Sequence, residues 1–416
     1  MLLRIVWRDL TAKPLQSLVT MAIVALAIAL TVTMILFAEG MHQGLVRATE
    51  PFDLIIGAKG SPVQLVLNTV FLQDTPIGNI GADLVAELAE RPGVAAAIPM
   101  GFGDNYRGYR IVGTTEAIFN QRTGVEGPPW LQMAAGRAFH APFEAVVGAK
   151  AARDLGLKVG DQFTSVHGLS AFEQSLAHRH NPYKTVGILK SLGGPYDQAI
   201  LVSMESIWHI HDPAGQGRGA GEPSETATGY AAHEEHDEQE HGVTAILVKP
   251  KGYADAMRLY QQFQRENRAQ MVFPAQVIIQ FFDMMGQGEQ VLQLIAVLVI
   301  AMTLLTVALT LYWAANSRSK EQAITRAIGA NAGDIFRIIL MEGAFIVIAG
   351  LGFGLVMGHT LFWTLAGILQ QKTAVTIGLG GSVKELYLVV SVAVFGLLAS
   401  TAPAATAYRF EVARNL

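Results

Sequence analysis

The 416-residue chain contains no cysteine, so a disulfide framework and thiolate chemistry are both excluded. Charge is also scarce: 15% of residues are charged and 51% are hydrophobic, an apolar balance for a soluble protein of this length. No GxxxxGK[ST] sequence occurs. Gly57-Ala58-Lys59-Gly60-Ser61 is glycine-rich but has the wrong spacing for a phosphate loop. ATP hydrolysis through a phosphate loop is therefore not expected of this chain. A G-x-S-x-G nucleophile elbow is missing, and in HEEHD the second histidine, His236, stands one residue too early after His233 for a zinc-hydrolase helix. Nothing in the sequence carries an enzyme, and no basic patch or motif points to nucleic acid.

What is present is four long apolar runs, each near the roughly 20 residues that a bilayer crossing needs. Ser17 to Ala38 is the first, without a charge. It follows a short amphipathic segment, Leu2 to Lys13, with Leu3, Val6 and Leu10 on one face, Arg4, Arg8 and Lys13 basic, and Trp7 suited to an interface; Pro14 ends it. No small-x-small cleavage site follows the run, so it reads as a retained anchor rather than a signal peptide. The predicted order is an amphipathic helix over 1–14, spans over 15–38, 291–315, 332–365 and 386–407, a short outer loop over 366–385 and a basic tail over 408–416.

Between the first two spans, 39–290 is mixed in character. Predicted strands at Phe52–Ile56, Val94–Ile98, Ala145–Val147, Tyr183–Leu189, Ile200–Ser203 and Thr244–Val248 alternate with helices at Asp83–Glu90, Ala149–Leu155, a segment through Trp208, and Tyr253–Glu266. This is an α+β domain of ordinary size. It carries a polar insertion over 212–242, too poor in apolar residues to offset its ordering entropy. Charge is split: Glu39–Asp283 holds 19 Lys/Arg against 27 Asp/Glu, although the whole chain is only −4. Arg4, Arg8, Lys13, Arg318, Lys320, Arg326, Arg409 and Arg414 flank the spans on one side, and only Lys372 and Lys384 lie between the third and fourth. The bias places both termini and the central loop in the cytoplasm and the acidic domain outside, in the periplasm of a diderm bacterium.

The segment 316–331 is predicted as a short helix on the cytoplasmic surface. Ser319 and Gln322 have capping-box spacing; Ala323, Ile324, Ala327 and Ile328 share a face opposite Arg318, Lys320, Glu321 and Arg326; Gly329 stops the helix. Asn331 and Asp334 can cap the next one. In that next span Gly350, Gly354 and Gly358 recur every four residues, a stripe where a second helix can approach closely.

The stretch SKEQAITRAIGANAGDIFRIILMEG resembles the signature of the MacB, FtsX and LolC/LolE type of ABC transporter permease, at Lys320, Glu321, Arg326, Ala327, Ile328, Gly329, Ala330 and Glu342. AVVGAKAARDLGLKVGDQF, the KTVGIL strand and Asp197 to Ile200 resemble the periplasmic core domain of the same family. The resemblance implies four transmembrane helices with a MacB-like α+β domain inserted between the first and second, in an inner-membrane protein. It implies that Arg318, Lys320, Glu321, Arg326, Ile328, Gly329 and Glu342 couple to a separate ATPase carrying ATP and Mg. It further implies a dimer of this chain with two ATPase copies, relaying motion to the periplasmic domains, with a periplasmic binding protein or lipoprotein as a further partner. An FtsX-like regulator of a periplasmic hydrolase and a zinc-handling complex are the alternatives.

Zinc enters through the histidines. His178 and His180, His209 and His211, and the run His233, His236 and His241 among acidic residues all fall outside the spans. His-x-His on a strand would put both rings on one face, half of a zinc site.

Overall fold

The computed structural model describes residues 2–12, 14–123, 127–167, 182–211, 242–317, 329–373, 377–378 and 382–408. The chain divides into two compact units. One comprises Met1–Gln43, Met284–Gln370 and Ile377–Leu416; the other comprises Gly44–Asp283 and Gln371–Thr376.

The first unit is helical. Helix α1 (Leu2–Ala12) is followed at once by α2 (Pro14–Thr49), because proline at a first helical position keeps its fixed φ without forfeiting a hydrogen bond. Among the described residues, four helices are long and apolar enough to cross a membrane, over Pro14–Thr49, Gln293–Ser317, Ala332–Gln370 and Val383–Thr406. Their core joins Val24, Ile28 and Val32 to Val307 and Leu311, Ile346 and Val347, and Leu388 and Val392. Val6 and Leu10 of α1 enter the same core, and Trp7 meets Phe345 edge-on at 5.9 Å.

The second unit contains, in order, β1 (Leu54–Gly57), α3 (Pro62–Thr69), β2 (Ile80–Gly81), α4 (Asp83–Glu90), β3 (Val94–Tyr106), β4 (Tyr109–Thr114), β5 (Met133–Gly136), β6 (Glu144–Val147) and α5 (Ala149–Leu155). There follow β7 (Gln162–Phe163), β8 (Val166–His167), β9 (Tyr183–Leu189), β10 (Ile200–Ser203), α6 (Met204–His211), β11 (Gly242–Val243), β12 (Ala245–Pro250), α7 (Tyr253–Phe263) and β13 (Gln270–Val272). Helices α8 (Pro274–Ser317), α9 (Ala332–Thr373) and α10 (Val383–Tyr408) complete the chain, and α2, α8 and α9 each belong partly to both units.

Among the described residues, eleven strands form one mixed sheet in the order β13-β1-β12-β3-β4-β10-β6-β9-β5, with β7 on β9 and β8 on β3. The central strands are apolar at nearly every position because both faces are covered. Along β1, Ile55 faces one core while Leu54 and Ile56 face another; along β12, Ala245 and Leu247 alternate with Ile246 and Val248 in the same way. Ile200 and Val202 of β10 turn to a third cluster, and Leu201 turns to the first.

Several boundaries differ from the sequence reading. The helix of the first span continues past residue 38 to Thr49, and that of the second begins at Pro274 rather than 291. Hydropathy marks where a helix turns polar, which need not be where it ends. The third span's helix likewise runs to Thr373, into the predicted outer loop. β3 extends to Tyr106 through Pro99, Gly101 and Gly103; β4 pairs only from Gly101 onward, so Pro99 lies where a strand neighbour is missing on one side. Ser61-Pro62 opens α3. Ser61 accepts from the Gln64 amide at 3.3 Å and Pro62 takes the first helical position.

Candidate functional site

The coupling residues Arg318, Lys320, Glu321, Arg326 and Ile328 lie outside the described residues, as do His178, His180, His233, His236 and His241 and most of the 212–242 insertion. Gly329 has φ +111°, a left-handed conformation that glycine adopts without strain. Asn331 precedes α9. Its amide donates to Asp334 Oδ2 at 3.3 Å and its carbonyl accepts from the Asp334 amide at 2.9 Å. Asp334 thus closes the helix start from the third helical position and puts a carboxylate at the positive end. Arg337 pairs with Asp334 at 3.9 Å rather than with Glu342.

Beyond this cap, Ala315 of α8, Ile335 and Ile339 of α9, and Ala404 of α10 form one small core. Glu342 is buried on the same helix. Its neighbour Gly343 sits where three helices converge: a Cβ there would come within 2.7 Å of Ser400 Cβ and 2.8 Å of Leu311 Cδ1. The two helices that leave the coupling segment are therefore packed to each other and to the last span within about two turns.

The glycine stripe faces α2. A Cβ at Gly350 would lie 2.7 Å from Val24 Cβ, one at Gly354 2.6 Å from Ile28 Cβ and 2.8 Å from Ala25 O, and one at Gly358 3.0 Å from both Ala29 O and Val32 Cβ. Thr33 Oγ1 donates to Gly358 O at 3.0 Å and to Ala29 O at 2.7 Å, joining the two backbones through one hydroxyl.

Sequence reasoning missed a polar set at the opposite end of the helical unit. Glu39 accepts from Gln43 Nε2 at 3.0 Å and pairs with Lys384 at 3.7 Å, while Glu385 lies 3.4 Å from His359 Nε2. These contacts connect α2, α9 and α10. The available signal was a charge at the end of the first apolar run and a Lys-Glu pair opening the fourth.

His209 and His211 correct an expectation. They lie on α6, not on a strand, so the strand alternation that would put both rings on one face does not apply to them. His209 is exposed and meets Phe143 edge-on at 5.9 Å. Among the described residues, no three His, Asp or Glu side chains gather into a cluster that could hold a metal.

Compared with known proteins, residues 17–266 match the family model of the MacB-like periplasmic core domain, and residues 294–412 match that of the FtsX-like permease C-terminal region. No curated protein matches. Among solved structures, the extracellular domain of the noncanonic ABC-type transporter YknZ from Gram-positive bacteria is 12% identical, with 53% of this chain and 98% of that one covered, at a TM-score of 0.30. The periplasmic region of MacB from Actinobacillus actinomycetemcomitans is 10% identical, with 56% and 95% covered, at a TM-score of 0.32.

Proposed function

The chain belongs to the ABC transporter permeases that join a MacB-like periplasmic core domain to an FtsX-like C-terminal region, and from that premise we propose that it converts the ATP cycle of a separate ATPase into motion of its periplasmic domain. Two copies of the chain, each with one ATPase subunit, form the working unit in the inner membrane. The chain itself does not hydrolyse ATP; it transmits force. The motion serves export of an envelope component, handed over by a periplasmic binding protein or lipoprotein.

One observation carries this reading. The helices on either side of the coupling segment, α8 and α9, are packed together by Ala315, Ile335 and Ile339 and tied to α10 through Ala404. A push on the residues between them cannot move one helix alone, because close-packed cores transmit displacement rather than absorb it. The cap at Asn331 and Asp334 keeps α9 helical up to the point where the push arrives.

The experiment is charge reversal in the coupling segment. With Arg326→Glu or Glu321→Lys, the ATPase should co-purify poorly with the permease or lose its stimulated rate, while the periplasmic unit keeps its thermal transition. Unchanged co-purification together with unchanged stimulation would remove 316–331 as the docking site.

A further inference from the structure

Arg110 is a charged side chain in the interior of the periplasmic unit, only 8% exposed. It stands on β4, between the β3–β4 turn and the loop that follows α3. Its Nη2 donates to the backbone carbonyl of Asp74, which also accepts from Asn68 Nδ2 at 3.1 Å. That carbonyl is its one hydrogen-bond acceptor among the described residues, and no described carboxylate forms an ion pair with it. The Asp74 carboxylate is turned to its own loop, where Oδ1 accepts from the Thr75 amide at 2.7 Å. A guanidinium carries five N–H donors in a planar fork. Burying it with one neutral acceptor is costly, and burial does press its pKa below the ordinary arginine value, with Asp74 opposing only in part.

The guanidinium borders a cavity of about 180 Å³, lined by the apolar Phe71, Leu72 and Pro195 together with the polar Gln73, Asp74 and Gln198. The loop that forms one side is held in an unusual shape. Leu72 and Asp74 have φ of +55° and +64°, a region that side-chain-bearing residues seldom occupy. The Gln73 amide bonds to Leu67 O at 2.9 Å and Gln64 Nε2 to Thr75 O at 3.2 Å, so the shape is fixed by the surrounding structure. Backbone strain sustained beside a cavity that contains an incompletely compensated buried charge is a pattern of binding sites rather than of inert cores.

We propose that this cavity binds a small organic monocarboxylate, whose two oxygens accept from the free edge of the Arg110 guanidinium while its apolar portion lies against Phe71, Leu72 and Pro195. The planar fork suits a carboxylate's two oxygens. The Asp74 carboxylate in the same lining repels a multiply charged inorganic anion more strongly than a singly charged one.

The test is a thermal-shift titration of the full-length, detergent-solubilised permease with propionate. Chloride holds ionic strength constant, and inorganic phosphate provides a comparison arm. The wild type should show a saturable rise in midpoint temperature with propionate and a smaller, non-saturating one with phosphate. Arg110→Met should lose the saturable rise. Arg110→Lys, which keeps the charge but not the fork, is the second variant should the first not fold; it should need about tenfold or more propionate. An equal rise in wild type and variants, a stronger rise with phosphate than with propionate, or no saturable response in the wild type would each overturn the proposal.

Discussion

Gly354 on α9 and Ile28 on α2 stand so close that a Cβ on the glycine would come within 2.6 Å of the isoleucine Cβ. In a membrane, apolar burial does not drive helices together, so close approach and backbone contact must do so. Gly354→Leu should therefore destabilise the helical unit by about 1–3 kcal/mol or more, through overpacking. Gly352, two positions away, has open space where its Cβ would be, so Gly352→Leu should be tolerated. Thermal unfolding of both variants in detergent checks this; equal effects would mean that the stripe is not the contact.

In the periplasmic unit, Tyr196 is 2% exposed, and its hydroxyl donates to Thr69 O at 2.8 Å. Its ring is packed against Trp130 at 4.8 Å and Phe52 at 5.7 Å. Tyr196→Phe keeps the ring contacts and leaves the Thr69 carbonyl without this donor, so it should cost about 1–3 kcal/mol in denaturant unfolding. Tyr196→Ala should cost more, because it also opens a cavity among the aromatic rings.

Acid should weaken the loop around Glu144. Hydrogen bonds from Arg137, opposed by burial and helped by the amides of His140 and Ala141, hold the Glu144 carboxyl at about 2, below its ordinary 4.5. The folded pKa is depressed, so this contribution to stability is complete above about 4.5 and is lost as pH falls towards 2. Glu144→Gln should be less stable than the wild type at pH 7, and the difference should vanish near pH 2. Unfolding midpoints measured across pH 2–7 would show that convergence, and a constant gap would contradict it.

Zinc uptake should depend on His233, His236 and His241, the histidines set among acidic residues in the insertion. Titration calorimetry on the full chain should show modest uptake that weakens as pH falls through about 6.5, where free imidazoles protonate. Deleting 213–242 should abolish it. Equal uptake without those residues would exclude the insertion as the ligand source.

Much of the architecture could be read from pattern alone. Four apolar runs, the Gly350-Gly354-Gly358 stripe and the strands at Tyr183–Leu189 and Ile200–Ser203 are local signals, set by hydropathy, by the absence of a Cβ and by β-branched residues in short runs. The sequence by itself also determined where α5 and α4 lie, because Gly156 and Pro92 stop them. The tertiary structure alone decided what the stripe packs on, since any apolar helix could have filled it, and that Ser61-Pro62 opens a helix rather than closing a strand. It decided that β3 runs through a proline, because only sheet order reveals where a strand neighbour is missing. It also placed Glu39 with Lys384, His359 with Glu385, and Arg110 beside a cavity. Each of these depends on residues distant in the chain, brought together by packing that no local pattern encodes.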